Sequence, residues 1–313
     1  MLSNFIVSAE AVMPMVVLMA IGVLVRKAGI VNREENKHFN RMVFVVFFPV
    51  MMFSNLYGTD LMEVVEWHII AYAVGALAVI YLGALLFVTR IEKSPKSRGA
   101  MIQAIYRSNF VIMGIPVVAN FYGHGNMPVT AMLVSIIVPL YNVLAVITLE
   151  VFRGGKVRPG EILLGIIKNP LIIGGIAGIA AALTGFKMPE PLEGLMDEMA
   201  VVATPMALVI LGISFDFSSV KRCGRNLVIA VVGKLVVVPA IFLPIAAMLG
   251  FRDVEFVTLL AMFAAPVAVS SYTMAESMDS DGQLAANSVI FSSIFSCFTM
   301  FIWIFIFKTL GYF

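Results

Sequence analysis

The sequence predicts an all-α polytopic membrane protein: ten transmembrane helices built as two inverted five-helix repeats, with broken, crossing helices in spans four and nine. Three observations carry this reading. Apolar segments of roughly 20 residues, the length that spans a bilayer, recur from one end of the chain to the other. Pro14, Gly22, Gly29 and Pro49 recur as Pro170, Gly178, Gly185 and Pro205, and the members of each pair stand 156 residues apart. Each half holds five such segments, an odd number, so the second copy enters the membrane from the opposite side.

Composition supports the class. The chain is 61% hydrophobic and only 13% charged, where a soluble domain carries about a quarter charged residues. Its mean hydropathy is +1.00. The segments fall at about 5–25, 40–58, 67–89, 98–121, 126–151, 161–183, 195–215, 226–249, 255–277 and 283–308. The first has no basic n-region and runs on at full length, so it reads as a span and not as a cleaved signal. The connections are short. The link Arg153–Gly160 has the Gly/Pro chemistry of a chain break and divides the repeats into 1–152 and 161–313.

Lysine and arginine set the orientation. Fifteen of them lie in one set of loops, from Arg26–Arg41, Arg90–Arg98, Arg153–Arg158 and Lys221–Arg225. The opposite set holds only Lys187, Arg252 and Lys308. Both termini are therefore expected outside the cytoplasm, with the chain as a multi-pass protein of the cell (inner) membrane. With no soluble domain, function must reside within the bilayer.

Spans four and nine stand apart. The fourth reads Tyr106-Arg107-Ser108-Asn109-Phe110-Val111-Ile112-Met113-Gly114-Ile115-Pro116, and the ninth Ala264-Ala265-Pro266-Val267-Ala268-Val269-Ser270-Ser271-Tyr272. Proline removes a backbone donor and clashes with the preceding turn, and in lipid the freed groups need partners. A proline kink explains either segment alone. Two repeat-related breaks, one carrying Arg and Asn, favour a shared cavity in which half-helix N-termini suit a carboxylate. Asn109, Gly114 and Pro116 are expected to line it from one side, and Pro266, Ser270 and Ser271 from the other.

The run Arg107 to Pro116 resembles the fourth-span motif of the auxin efflux carrier family, which includes plant auxin exporters and bacterial permeases, malate carriers among them. Lys168-Asn169-Pro170, the run Pro205 to Gly212, Pro266 and the run Leu284 to Ile290 are similar to that family as well. The resemblance implies a fold like that of bile-acid/sodium symporters. A scaffold would comprise 1–62 and 161–218, and a mobile transport domain 63–152 and 221–308. It also implies a homodimer, to which the apolar runs Met42–Phe53 and Val201–Gly212 would contribute. The long central loop of the plant members is absent here.

Arg107 and Lys234 are charges inside spans, costly unless they face a cavity or a partner. Arg107 either binds an anion or ties down carbonyls freed by the break. Lys234 either binds or steers an anion or takes part in coupling, or else pairs with a carboxylate or carbonyl. Glu276, just past the span-nine break, is the best candidate for a titrating carboxylate. His38, His68 and His124 are scattered, and Cys223 and Cys297 form no motif, so no metal site, cofactor or disulfide framework is expected. No catalytic constellation is visible, which argues against an enzyme. The expected function is secondary transport of a small organic anion, a carboxylate such as an auxin-like acid or malate, by alternating access. The alternative is a membrane sensor that binds an organic acid without moving it. The partners are the anion, the bilayer and a second copy of the chain, with no nucleic acid.

Overall fold

A computed structural model describes residues 2–57, 66–123, 128–153 and 159–313. The interior of the basic link, His124 and the scaffold boundary expected at 62–63 fall outside the described residues.

In chain order the helices are α1 (Leu2–Lys27), α2 (Arg33–Met42), α3 (Phe48–Tyr57), α4 (Trp67–Ile91), α5 (Pro95–Tyr106), α6 (Phe110–Tyr122), α7 (Pro128–Val151) and α8 (Pro159–Ile167). They continue as α9 (Pro170–Thr184), α10 (Glu190–Ser214), α11 (Phe217–Val232), α12 (Val238–Met248), α13 (Asp253–Ala264), α14 (Ser270–Ser277) and α15 (Gly282–Thr309). Turns of π-helix, Val43–Phe47 and Gly233–Val237, join α2 to α3 and α11 to α12. Among the described residues no strand forms, and six helical stretches are long and apolar enough to cross a membrane. α6 and α9 are apolar but shorter.

Several boundaries differ from the sequence reading, each for a local reason. The second segment is helical from Arg33 because Asn32 caps it. Its Oδ1 accepts the N–H groups of Glu34 and Glu35 at 2.9 Å, while Glu35 accepts from the Asn32 N–H at 2.8 Å. The sixth segment is two helices, because Asn169 accepts the Leu171 N–H at 3.0 Å and Pro170 takes the first helical position. α10 starts early, at Glu190, where Glu190 and Glu193 complement the helix N-terminus.

α1 lies on α10 and α3 lies on α9, and glycine sets both approaches. A Cβ at Gly22 would come within 2.1 Å of the Val209 carbonyl oxygen, and one at Gly212 within 2.0 Å of the Met19 carbonyl oxygen. Across the second pair, a Cβ at Gly178 would sit 2.9 Å from the Phe53 carbonyl oxygen, and one at Gly174 would sit 2.4 Å from that of Pro49. The two packings mirror each other: Gly22 meets Val209, while Gly178 meets Phe53, and each residue of one pair is 156 positions from its counterpart. Gly29 and Gly185, another matched pair, both adopt left-handed backbone, with φ of 71° and 64°.

The bundle is tied at its basic end. Arg26 donates to the Ile213 carbonyl at 3.0 Å and to that of Phe215, capping α10. Asn36 donates to Ser214 Oγ at 2.7 Å. Arg33 lies 2.7 Å from Asp216, and its hydrogen bond holds that carboxyl well below the usual range. Buried side chains form two clusters. One gathers chiefly α4–α7 and α11–α15; the other gathers α1, α3, α9 and α10 with the parts of α7, α14 and α15 that face them.

Backbone-to-backbone contact leaves no room for a methyl group. Gly22→Ala and Gly212→Ala are each expected to destabilise the protein by about 1–3 kcal/mol, as overpacking does. Gly75→Ala in α4, where the added Cβ meets nothing within 4 Å, should leave stability unchanged or raise it. Thermal unfolding in detergent checks all three, and equal behaviour of Gly22→Ala and Gly75→Ala would contradict the packing argument.

Candidate functional site

The fourth and ninth segments are both interrupted, and the interruptions meet. Pro95 at the first helical position, with Ser94 as cap, starts α5. It stops at Tyr106, because Arg107 turns extended at φ −84° and ψ 125° while its N–H still bonds the Gln103 carbonyl. α13 stops at Ala264, and Ala265 is likewise extended. Between them Ser108 and Val267 form an isolated antiparallel bridge. The Asn109 N–H donates to the Pro266 carbonyl at 2.8 Å, and the Val267 N–H to Ser292 Oγ on α15 at 3.0 Å. Each break thus supplies part of the other's backbone pairing.

Four helix ends converge here. α5 and α13 bring their C-termini, and α6 and α14 leave with their N-termini. A cavity of about 730 Å³ opens on the crossing. One wall includes Arg107, Ser108, Asn109 and Ser270, joined by Tyr141 and Asn142 of α7. The facing wall includes Met15 of α1, Phe48 and Asn55 of α3, and Thr204 of α10, with Asp197 further along α10.

Arg107 is 2% exposed. Its guanidinium donates to Asn142 Oδ1, to Ser270 Oγ at 2.7 Å and to Met274 Sδ at 2.9 Å. All three partners are neutral, and no carboxylate pairs with it among the described residues. Asn142 in turn donates to Met52 Sδ at 3.2 Å, and Asn109 to Met15 Sδ at 3.6 Å. Ser108 Oγ is buried at the cavity without a hydrogen-bond partner among the described residues. A buried cation, an unsatisfied hydroxyl and two helix N-termini make a pocket suited to anionic oxygen.

Among the residues singled out from sequence, Arg107, Asn109 and Ser270 line the cavity. Pro266 acts through its backbone carbonyl, and Ser271 is buried outside the cavity lining, its hydroxyl unpaired among the described residues. Gly114 and Pro116 lie inside α6, Gly114 beneath the Phe110 ring and Pro116 on an exposed face. The fourth break therefore falls at Arg107–Asn109 and not at the proline. Lys234 donates to the Phe263 carbonyl at 3.3 Å, away from the cavity. Glu276 sits against Gly282 at the far end of α14. Sequence reasoning did not single out Ser108, Asn142, Thr204 or Asp197. A lone asparagine in the apolar α7 was the available signal. It also did not bring together Glu66, His68 and Glu255, whose ligand atoms lie within 4.8 Å of one another. His68 is 2.7 Å from Glu255 and its side chain is 60% exposed, a surface contact linking the starts of α4 and α13.

The sequence pattern of the family described as "Membrane transport protein" matches residues 7–304. The chain belongs to this family. The likeness to auxin efflux carriers drawn from the span motifs is borne out by that match. An "Uncharacterized transporter" of Methanocaldococcus jannaschii is 23% identical over 308 residues, covering 94% of this chain and 97% of the relative. Another, of Methanothermobacter thermautotrophicus, is 24% identical over 305 residues, covering 96% and 98%. A "Putative malonate transporter" of Rhizobium meliloti is 27% identical over 152 residues, 47% of this chain and 48% of that protein. Together with its apolar helices, the match makes this a multi-pass member of a membrane transport family.

The guanidinium fork bonds in more than one direction, which lysine cannot reproduce. Arg107→Ala is expected to cut transport at least tenfold, while thermal unfolding in detergent moves by only a few degrees. Arg107→Lys should recover little of the loss. Full transport by Arg107→Lys would show that the fork geometry is not used.

Proposed function

We propose that the protein is a secondary transporter that moves a small organic anion, a mono- or dicarboxylate, across the membrane by alternating access. The observation that carries this reading is the Arg107 guanidinium, buried without a carboxylate partner at a cavity on which the N-termini of two broken helices converge. Uncompensated positive potential in a low-dielectric site favours an anion, which would otherwise lose its hydration with nothing in return. A cavity of this volume suits a small ligand. The "Putative malonate transporter" relative, matched over about half of each chain, makes dicarboxylates the first substrates to test.

The mechanism follows from how the helices group. Ten spans as two inverted repeats account for the reciprocal Gly22–Val209 and Gly178–Phe53 contacts, since a pseudo-twofold axis exchanges one for the other. On this reading 1–62 and 161–218 form the scaffold, and 63–152 and 221–308 the mobile domain. One buried cluster is drawn almost wholly from the mobile segments, while the other joins α1, α3, α9 and α10 to the faces of the mobile segments packed on them, and the cavity is lined from both groups of helices. With both termini outside the cytoplasm, the cavity, whose lining reaches Asn55 and Asp197, opens outward. Sliding of the mobile domain past the scaffold would carry the crossing, and the anion on it, to the other side. In the proposed homodimer the scaffolds pair through the exposed apolar residues Val45, Val46 and Val202.

Counterflow in proteoliposomes tests the function. Vesicles loaded with unlabelled malonate should accumulate labelled malonate from outside, and proton and sodium gradients varied independently will show what drives net flux. Binding without flux would favour a sensor. Absence of both binding and flux for a panel of mono- and dicarboxylates would contradict the anion reading.

A further inference from the structure

Lys234 is 1% exposed and has no carboxylate partner among the described residues. Its side chain donates to the carbonyl of Phe263, in the last turn of α13. It stands in the π-helical turn Gly233–Val237, and such turns recur at functional positions. The same turn packs on the last turn of α5, since a Cβ at Gly233 would lie 3.3 Å from Ile105 Cγ1. The bridge between Ser108 and Val267 holds those two helix ends together, two and three residues past Tyr106 and Ala264. Lys234 thus reaches the C-terminal end of α13 directly, its turn packs beside the C-terminal end of α5, and it is not among the residues that line the cavity.

We propose that Lys234 is the counter-charge of the crossing: it neutralises the two inward helix C-termini, so that the anion site keeps its full positive potential. Each helix end carries about half an elementary charge. Two C-termini amount to about −1, which one ammonium balances. The N-termini of α6 and α14 with Arg107 then present about +2 to the cavity, a value matched to a dicarboxylate. Without Lys234 the C-termini would cancel about half of that. Lys234 is thus a positioning residue that acts through the field and touches no substrate. This inference rests on the anion reading of the cavity for its binding arm, and on the protein alone for its stability arm.

The test compares two variants. Lys234→Gln keeps a hydrogen-bond donor for Phe263 and removes the charge; Lys234→Arg keeps the charge. Affinities for malonate, a dianion, and for malonamate, its monoanionic amide, are measured in detergent together with thermal unfolding without ligand. A through-space charge at about 10 Å and an effective dielectric near 20 changes the affinity of a monoanion about tenfold. The dianion, with twice the charge, should lose about the square of that, roughly a hundredfold. Lys234→Gln should show this doubled logarithmic loss and a lower unfolding temperature, while Lys234→Arg stays close to the wild type. Equal losses for the two ligands would overturn the proposal, since a packing defect does not read ligand charge. A Lys234→Gln protein as stable as the wild type would overturn it too. If the wild type binds neither ligand, the anion reading fails, and the stability comparison still decides whether Lys234 is the counter-charge.

Discussion

Every backbone N–H and C=O freed within a bilayer must be paired inside the protein, because lipid offers neither donors nor acceptors. A single broken helix cannot meet that demand from its own residues. Here each break draws on the other. The Asn109 N–H takes the Pro266 carbonyl, Ser108 and Val267 pair as a short bridge, and Ser292 on α15 accepts the Val267 N–H. This mutual pairing fixes the depth of the crossing and the direction of four helix ends. It also makes the two breaks interdependent, since losing one would orphan the other.

Once the ends are fixed, electrostatics sorts the surroundings. The N-termini of α6 and α14 face a cavity together with Arg107, whose three neutral partners orient the guanidinium without cancelling its charge. Lys234 bonds the C-terminal end of α13. Two buried cations thus have different surroundings: Arg107 lines the cavity, and Lys234 does not. The glycine-mediated contacts of α1 with α10 and α3 with α9 bring backbones together where neither helix is broken. Such close packing suits a rigid body against which the crossing could move.

Much of the fold was legible because lipid writes it in simple terms. Apolar length gave the helices, and the 156-residue recurrence of Pro and Gly marked residues that proved to meet in reciprocal contacts, as Gly22 and Gly178 do. The site was legible in part. Pro266 does lie in the ninth break, yet α6 runs through Pro116, and the fourth break falls seven residues earlier. A proline weakens a helix locally, but the place where the chain unwinds is chosen by its tertiary partner, here the carbonyl of Pro266. Asn142 lies in an unbroken apolar helix, so periodicity gave it no prominence. The start of α2 at Arg33 was readable from Asn32 and Glu35, an Asn-first capping box, but the polarity of the segment pointed to a loop. The π-turns carry no sequence pattern of their own, because an i→i+5 bond costs one extra residue that any composition can supply.

The central claim is that the crossing of the two broken helices is where the anion binds. Anomalous diffraction from crystals of the protein with bromomalonate tests it directly. The account predicts a bromine peak in the cavity, with a carboxylate within hydrogen-bond reach of the Arg107 guanidinium and the N-terminus of α14. An ordered bromine bound elsewhere, with the crossing occupied only by water, would contradict it.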